Sequence, residues 1–124
     1  MKRIYLTGSV DTVKDYFKYS AQDILVLSDV VAKLSKTVTP QQAMTIKVKD
    51  IRACDLVVCA LPSKYYLNAE DMFTLSFAAG LGKQLAFIGN TKEKSSYMVY
   101  FKAFNYLVFE DISELLEYIR LDSR

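Results

Sequence analysis

Leu56-Val57-Val58-Cys59-Ala60-Leu61 is the most apolar run in the chain, entered from Asp55 and stopped by Pro62. Six consecutive apolar residues with two valines cannot be an amphipathic helix face. They suit a strand covered on both sides, as in the middle of a parallel sheet. Outward from this run the pattern repeats. Ile4-Tyr5-Leu6, Ile24-Leu25-Val26-Leu27, Leu85-Ala86-Phe87-Ile88 and Tyr106-Leu107-Val108-Phe109 are four further short apolar runs. Helical spacing lies between them. Val10, Val13, Phe17 and Ala21 predict a first helix, and 28–36 reads as irregular. Thr39-Pro40-Gln41-Gln42 is a helix start, with a capping Thr, Pro at the first position and Gln three residues on. The helix it opens places Met44, Val48 and Ile51 on one stripe and ends near Ala53-Cys54. Asn68 caps a helix over 68–81 that Gly82 stops, and Ala78-Ala79-Gly80 makes it thin enough to approach the sheet closely. A short helix is expected over 97–104, and Asp111 caps a last helix with Leu115, Leu116 and Ile119 inward.

Strands and helices therefore alternate from end to end, which argues an α/β domain with helices on both faces of a parallel sheet. The expectation is one domain over residues 1–124: a three-layer α/β/α arrangement, five-stranded, with the flavodoxin-like order 2-1-3-4-5. The chain has 124 residues, 52% hydrophobic and 24% charged, which fits one folded domain rather than two.

Composition excludes several chemistries. There is no His, which removes His-based triads, Cys-His dyads and imidazole zinc sites. Two cysteines, Cys54 and Cys59, cannot close a structural zinc site and read as buried thiols of a cytoplasmic protein. No metal and no cofactor is expected. Sixteen Lys+Arg against 14 Asp+Glu, without a basic arm in either half, gives no bulk-charge case for nucleic acid. No apolar run approaches the ~18 residues of a membrane span, and the N-terminal apolar piece is too short for a signal peptide. No Walker lysine pattern and no G-x-G-x-x-G follows the first strand.

Topology alone suggests where a ligand sits. In an open parallel sheet, ligands bind beyond the carboxyl ends of the strands where the order reverses, here between the first and third strands. The facing loops are Gly8-Ser9-Val10 and 62–68, and the helix after the second loop aims its free N–H groups into the crevice. Tyr65 and Tyr66 could offer a stacking face there. The plainer readings are that Gly8 turns the chain, the tyrosines pack the loop and Asn68 only caps.

Three stretches resemble the nucleoside 2-deoxyribosyltransferase-like family, which includes deoxynucleotide N-hydrolases. They are Lys2-Arg3-Ile4-Tyr5-Leu6-Thr7-Gly8-Ser9, Ile51-Arg52-Ala53-Cys54-Asp55-Leu56-Val57-Val58-Cys59-Ala60, and Ser76-Phe77-Ala78-Ala79-Gly80-Leu81-Gly82-Lys83, in order over most of residues 1–90. The resemblance implies cleavage of the N-glycosidic bond of a deoxynucleoside or its monophosphate. In the family a Glu on the third helix attacks the anomeric carbon, an Asp or Ser at the start of that helix assists, and a further Asp holds the substrate. By position those places here are Thr74, Asn68 and Lys47, none of them acidic. Carboxylates stabilise the oxocarbenium-like state of such a displacement, and Thr74 carries no charge.

The expected function is thus a nucleoside- or nucleotide-binding protein with glycosidic chemistry lost or altered. Tyr5, Gly8, Ser9, Lys47, Ser63, Asn68 and Thr74 are its candidate ligand contacts. The alternative is an active deoxyribosyltransferase or N-glycosidase with a displaced carboxylate. Glu70 or Asp71 would then be catalytic, since Glu70 lies one turn before Thr74 on the same face. Otherwise Glu70 and Asp71 are first-turn acids that favour the helix dipole. A third reading is an oligomeric interaction protein. The chain has nine Tyr and seven Phe, and Tyr97, Tyr100, Phe101 and Phe104 recur at helical spacing. A homo-oligomer is also what the family resemblance implies.

Overall fold

A computed structural model describes residues 2–8, 24–26, 39–61, 69–89, 101, 103–104 and 106–122. In chain order the elements are β1 (Lys2–Gly8), β2 (Ile24–Val26), α1 (Pro40–Ala53), β3 (Leu56–Ala60), α2 (Ala69–Gly80), β4 (Gln84–Ile88), β5 (Tyr106–Phe109) and α3 (Ile112–Asp122). The protein is α/β with a parallel sheet. β1 lies beside β3, β3 beside β4 and β4 beside β5, all parallel. The short β2 is in parallel register with β1, Arg3 opposite Leu25. The first helix expected over 10–21, the segment 28–36 and the loop tyrosines Tyr65 and Tyr66 lie outside the described residues.

β3 is buried at all five positions, as its unbroken apolar run demands of a strand with neighbours on both sides and helices on both faces. The pleat sorts its side chains. Val57 and Cys59 join Tyr5, Ile51, Leu75, Ala78, Leu85 and Phe87 under α1 and α2. Leu56, Val58 and Ala60 join Ile4, Leu6, Ala86 and Ile88 under Leu115, Leu116 and Ile119 of α3. Asp55 fixes the register where β1 and β3 begin. Its Oδ2 accepts from the Arg3 N–H at 2.8 Å, and its own N–H donates to the Arg3 carbonyl at 2.8 Å.

The helix ends follow their residues. The Thr39 hydroxyl accepts from the Gln42 N–H at 3.1 Å, while Gln42 Oε1 accepts from the Thr39 N–H at 2.9 Å, a complete capping box with Pro40 behind it. Asp111 Oδ1 accepts from the Glu114 N–H at 3.0 Å. α2 ends in a Schellman turn: the Gly82 and Lys83 N–H groups donate back to the Ala79 and Ala78 carbonyls, with Gly82 at φ +76°. Basic side chains close the end of α1. Lys83 Nζ donates to the Arg52 carbonyl at 2.7 Å, and an Arg3 guanidinium N–H donates to the Ala53 carbonyl at 3.3 Å.

Two expectations need correction. Met44 is 45% exposed, and the buried stripe of α1 is Lys47 with Ile51 instead. Gly80 faces outward with nothing near the place of a Cβ, so the close approach of α2 to the sheet rests on Ala78 and Ala79. Of the helix expected over 97–104, only residues 101, 103 and 104 are described, and there the Phe104 N–H donates to the Phe101 carbonyl at 3.0 Å. Phe101 packs on Phe87 with centroids 6.0 Å apart while Phe104 is exposed; Tyr97 and Tyr100 lie outside the described residues. Among the described residues no helix is long and apolar enough to cross a membrane.

Two glycines separate backbone necessity from chance. Gly8 has φ +82°, and a Cβ there would stand 2.2 Å from the Ala60 carbonyl oxygen. Gly8→Ala is expected to lose about 2–5 kcal/mol of stability from strain and overpacking together. Gly80→Ala should be neutral or gain up to about 1 kcal/mol, since it adds helix propensity in open space. Urea unfolding of both variants checks the pair.

Candidate functional site

Alternation along β1 sends Tyr5 and Thr7 to the α1/α2 side while Ile4 and Leu6 go to the other. The strand ends at Gly8, pressed against β3. There it meets the first turn of α2. Asp71 Oδ1 accepts from the Thr7 hydroxyl at 2.5 Å and from the Gly8 N–H at 2.9 Å. One carboxylate thus ties the carboxyl end of β1 to the start of α2.

The residue before it faces elsewhere. Glu70 Oε1 sits 2.7 Å from Lys47 Nζ of α1. The pair is lopsided: the Lys47 side chain is 6% exposed and that of Glu70 is 73% exposed. A cation drawn under the helices is balanced by a carboxylate standing largely in water. One turn on, Thr74 is fully buried and its hydroxyl donates to the Glu70 carbonyl at 3.0 Å. It takes no part in any open surface.

Tyr5 lies beneath these groups. Burial pushes its phenol well above the ordinary range, and the nearby charges of Glu70, Asp50, Cys54 and Asp71 push the same way. Asp50 lies one turn after Lys47 on α1. Its Oδ2 is shut off from solvent and has no hydrogen-bond partner among the described residues. Burial raises its carboxyl from the ordinary value, against the opposing pull of Lys49. The thiols are quiet. Burial pushes Cys54 up to about 11 and Cys59 further still, so neither is a nucleophile at neutral pH. Among the described residues no three of His, Cys, Asp and Glu converge as a metal set.

Of the candidate contacts, Tyr5, Gly8, Lys47 and Thr74 gather around the end of β1 with Glu70 and Asp71. Ser9, Ser63 and Asn68 lie outside the described residues. Asp50, Glu70 and Asp71 all act on the Tyr5 phenol, so acidic side chains are present near the end of β1 although the places of Thr74 and Lys47 carry none. Thr7 and Asp50 were not singled out from sequence. Strand alternation with Tyr5 could have found the first, and helical spacing from Lys47 the second. Two clefts lie elsewhere. One of about 350 Å³ is lined by Gly82, Lys83, Gln84 and Phe104 at the other end of the sheet, and an open one of about 630 Å³ borders Thr39, Gln42 and Ile46.

No protein-family model matches the chain, and no curated protein matches it. Among solved structures it is similar to a CMP N-glycosidase, BcmB, from Clostridium botulinum. Identity is 17%, the TM-score is 0.64, and the match covers 96% of this chain and 99% of that one. The likeness establishes a shared fold over nearly the whole of both chains.

Two stability tests follow from the charges. Glu70→Gln strands a buried ammonium and should cost about 1–3 kcal/mol. Lys47→Met keeps the volume and leaves Glu70 in water, and should cost under about 1.5 kcal/mol. Denaturant midpoints of the two variants decide the order. For Asp50 the folded state binds its proton more tightly than the unfolded chain, so its contribution favours folding at low pH and is lost as pH rises through its titration. Asp50→Asn is therefore expected to raise the urea midpoint at neutral pH, with the advantage vanishing as pH falls through the carboxylate range.

Proposed function

We propose that this chain is a nucleoside- or nucleotide-binding protein of the nucleoside 2-deoxyribosyltransferase-like fold, with the glycosidic chemistry of that fold lost or altered. The reading takes the sheet as five-stranded, in the order 2-1-3-4-5, so that the crevice falls between β1 and β3 at the carboxyl ends of the strands. It takes residues 1–124 as one cytoplasmic domain that forms a homo-oligomer. The likeness to a CMP N-glycosidase supports the ligand class.

The observation that carries the loss of chemistry is the engagement of the candidate groups among the described residues. Thr74 is sealed and donates to a carbonyl, and Lys47 is neutralised by Glu70. Asp71 is held by Thr7 and Gly8. A nucleophilic carboxylate must be free to form a bond at the anomeric carbon.

A second reading has its own support in Glu70, whose carboxylate is mostly exposed beside the crevice and fixed in direction by Lys47. In that reading Glu70 attacks and Asp71 assists, as an active N-glycosidase or deoxyribosyltransferase. One experiment separates the two. The protein is incubated with ribo- and deoxyribonucleosides and their 5′-monophosphates, and Tm and released base are measured. The expected outcome is a Tm rise of a few degrees with at least one ligand and no base release. Base release that disappears in Glu70→Gln replaces the first reading with the second. No shift with any member of the panel defeats the binding reading.

A further inference from the structure

α2 differs from α1 and α3 on the side it turns to water. Its inward side sets Leu75, Ala78 and Ala79 against the sheet, as an outer-layer helix should. Yet from Met72 to Leu81 the chain carries no charged residue, so its outward side is uncharged as well. Phe73 is 38% exposed and Leu81 is 42% exposed, with Ser76 exposed between them. Phe73 and Phe77, one turn apart, stack with centroids 5.7 Å apart and rings 18° from parallel. The other two helices present charge to solvent: Lys49 and Arg52 on α1, Glu117 and Arg120 on α3. A helix that is apolar on its outward side as well as its inward side is one that something covers.

Charge stands only at the two ends of this patch. Glu70, with its side chain 73% exposed, marks the amino end. At the other end the Arg52 guanidinium lies 6.0 Å from the centroid of the Phe77 ring, and Lys83 Nζ donates to the Arg52 carbonyl. A patch that is acidic at one end, apolar in the middle and basic at the other is complementary to itself under a two-fold axis. Turned through 180° about its centre, it brings the acidic end of each copy to the basic end of the other and sets apolar side chains against apolar side chains. The same rotation opposes the two α2 dipoles.

We propose that a second copy of this chain docks on the outward side of α2, forming a two-fold dimer with the two α2 helices antiparallel around Phe73. The inference rests on the homo-oligomer reading and names its surface. The test is sedimentation velocity of the intact protein at micromolar concentration, with near-UV circular dichroism on each variant as the check of fold. The wild-type protein is expected to sediment as a dimer. Ser76→Glu removes no packing within the chain and places a charge at the middle of the patch; Phe73→Glu does so with loss of the aromatic contact. Each should raise the dimer Kd about thirtyfold or more while the chain stays folded. Arg52→Glu turns the basic end acidic and should raise the Kd about tenfold. Leu121→Glu, at an exposed position of α3 on the opposite face of the sheet, should leave it unchanged. A dimer that survives Ser76→Glu, or that Leu121→Glu dissociates instead, overturns this surface and leaves the homo-oligomer reading standing. A Kd unmoved by Arg52→Glu overturns the antiparallel arrangement. A wild-type monomer defeats the homo-oligomer reading and the inference together.

Discussion

Asp71 holds two elements at a fixed angle, and the rest of the crevice inherits its geometry from that grip. β1 ends where Ala60 of β3 presses against Gly8, so closely that no side chain fits at Gly8. The backbone turns there with φ +82° and offers its N–H to α2. Successive residues of a helix point about 100° apart. Once Asp71 faces Thr7 and Gly8, Glu70 must look away from β1, and it meets Lys47 of α1. Thr74, a turn further, is then held inside. Hydrogen bonds to an ionised acceptor contribute about 1.5–3 kcal/mol each, enough for two of them to set the orientation of a 12-residue helix.

The strands were legible because their runs are apolar without interruption. β3 and β4 read as covered on both faces, and they are, apart from a half-buried Gln84. The helix ends were legible because Thr39, Gly82 and Asp111 act on their own neighbours, within a few residues. α1 was misread for the opposite reason. A pattern that sorts residues by polarity places Met44 inward and leaves Lys47 undecided. The fold exposes Met44 and buries Lys47, because a carboxylate 23 residues away is waiting for the ammonium. Nothing local announces that partner. Thr7 and Asp71, 64 residues apart, escape for the same cause. Phe101 and Phe104 share one spacing but not one environment, the first packed on Phe87 and the second exposed.

Charge was the least legible quantity. Comparison by motif spacing reads charge along the chain, where Thr74, Asn68 and Lys47 are not acidic. Electrostatics is set in space. Three carboxylates from neighbouring turns of α1 and α2 act on one phenol of β1. Lys47 does not stand as an uncompensated positive charge, because Glu70 faces it. Residue identity and local potential part company here, and the reaction a site can support follows the potential.

The unequal exposure of Lys47 and Glu70 couples ligand to fold. A ligand that drew Glu70 into its own service would leave an ammonium in a nearly closed space without a counter-charge, a state the protein resists strongly. The exposed carboxylate can leave only by uncovering the charge beneath it, so the pair ties α1 to α2 from the water side, and the cost of breaking it falls on the buried partner.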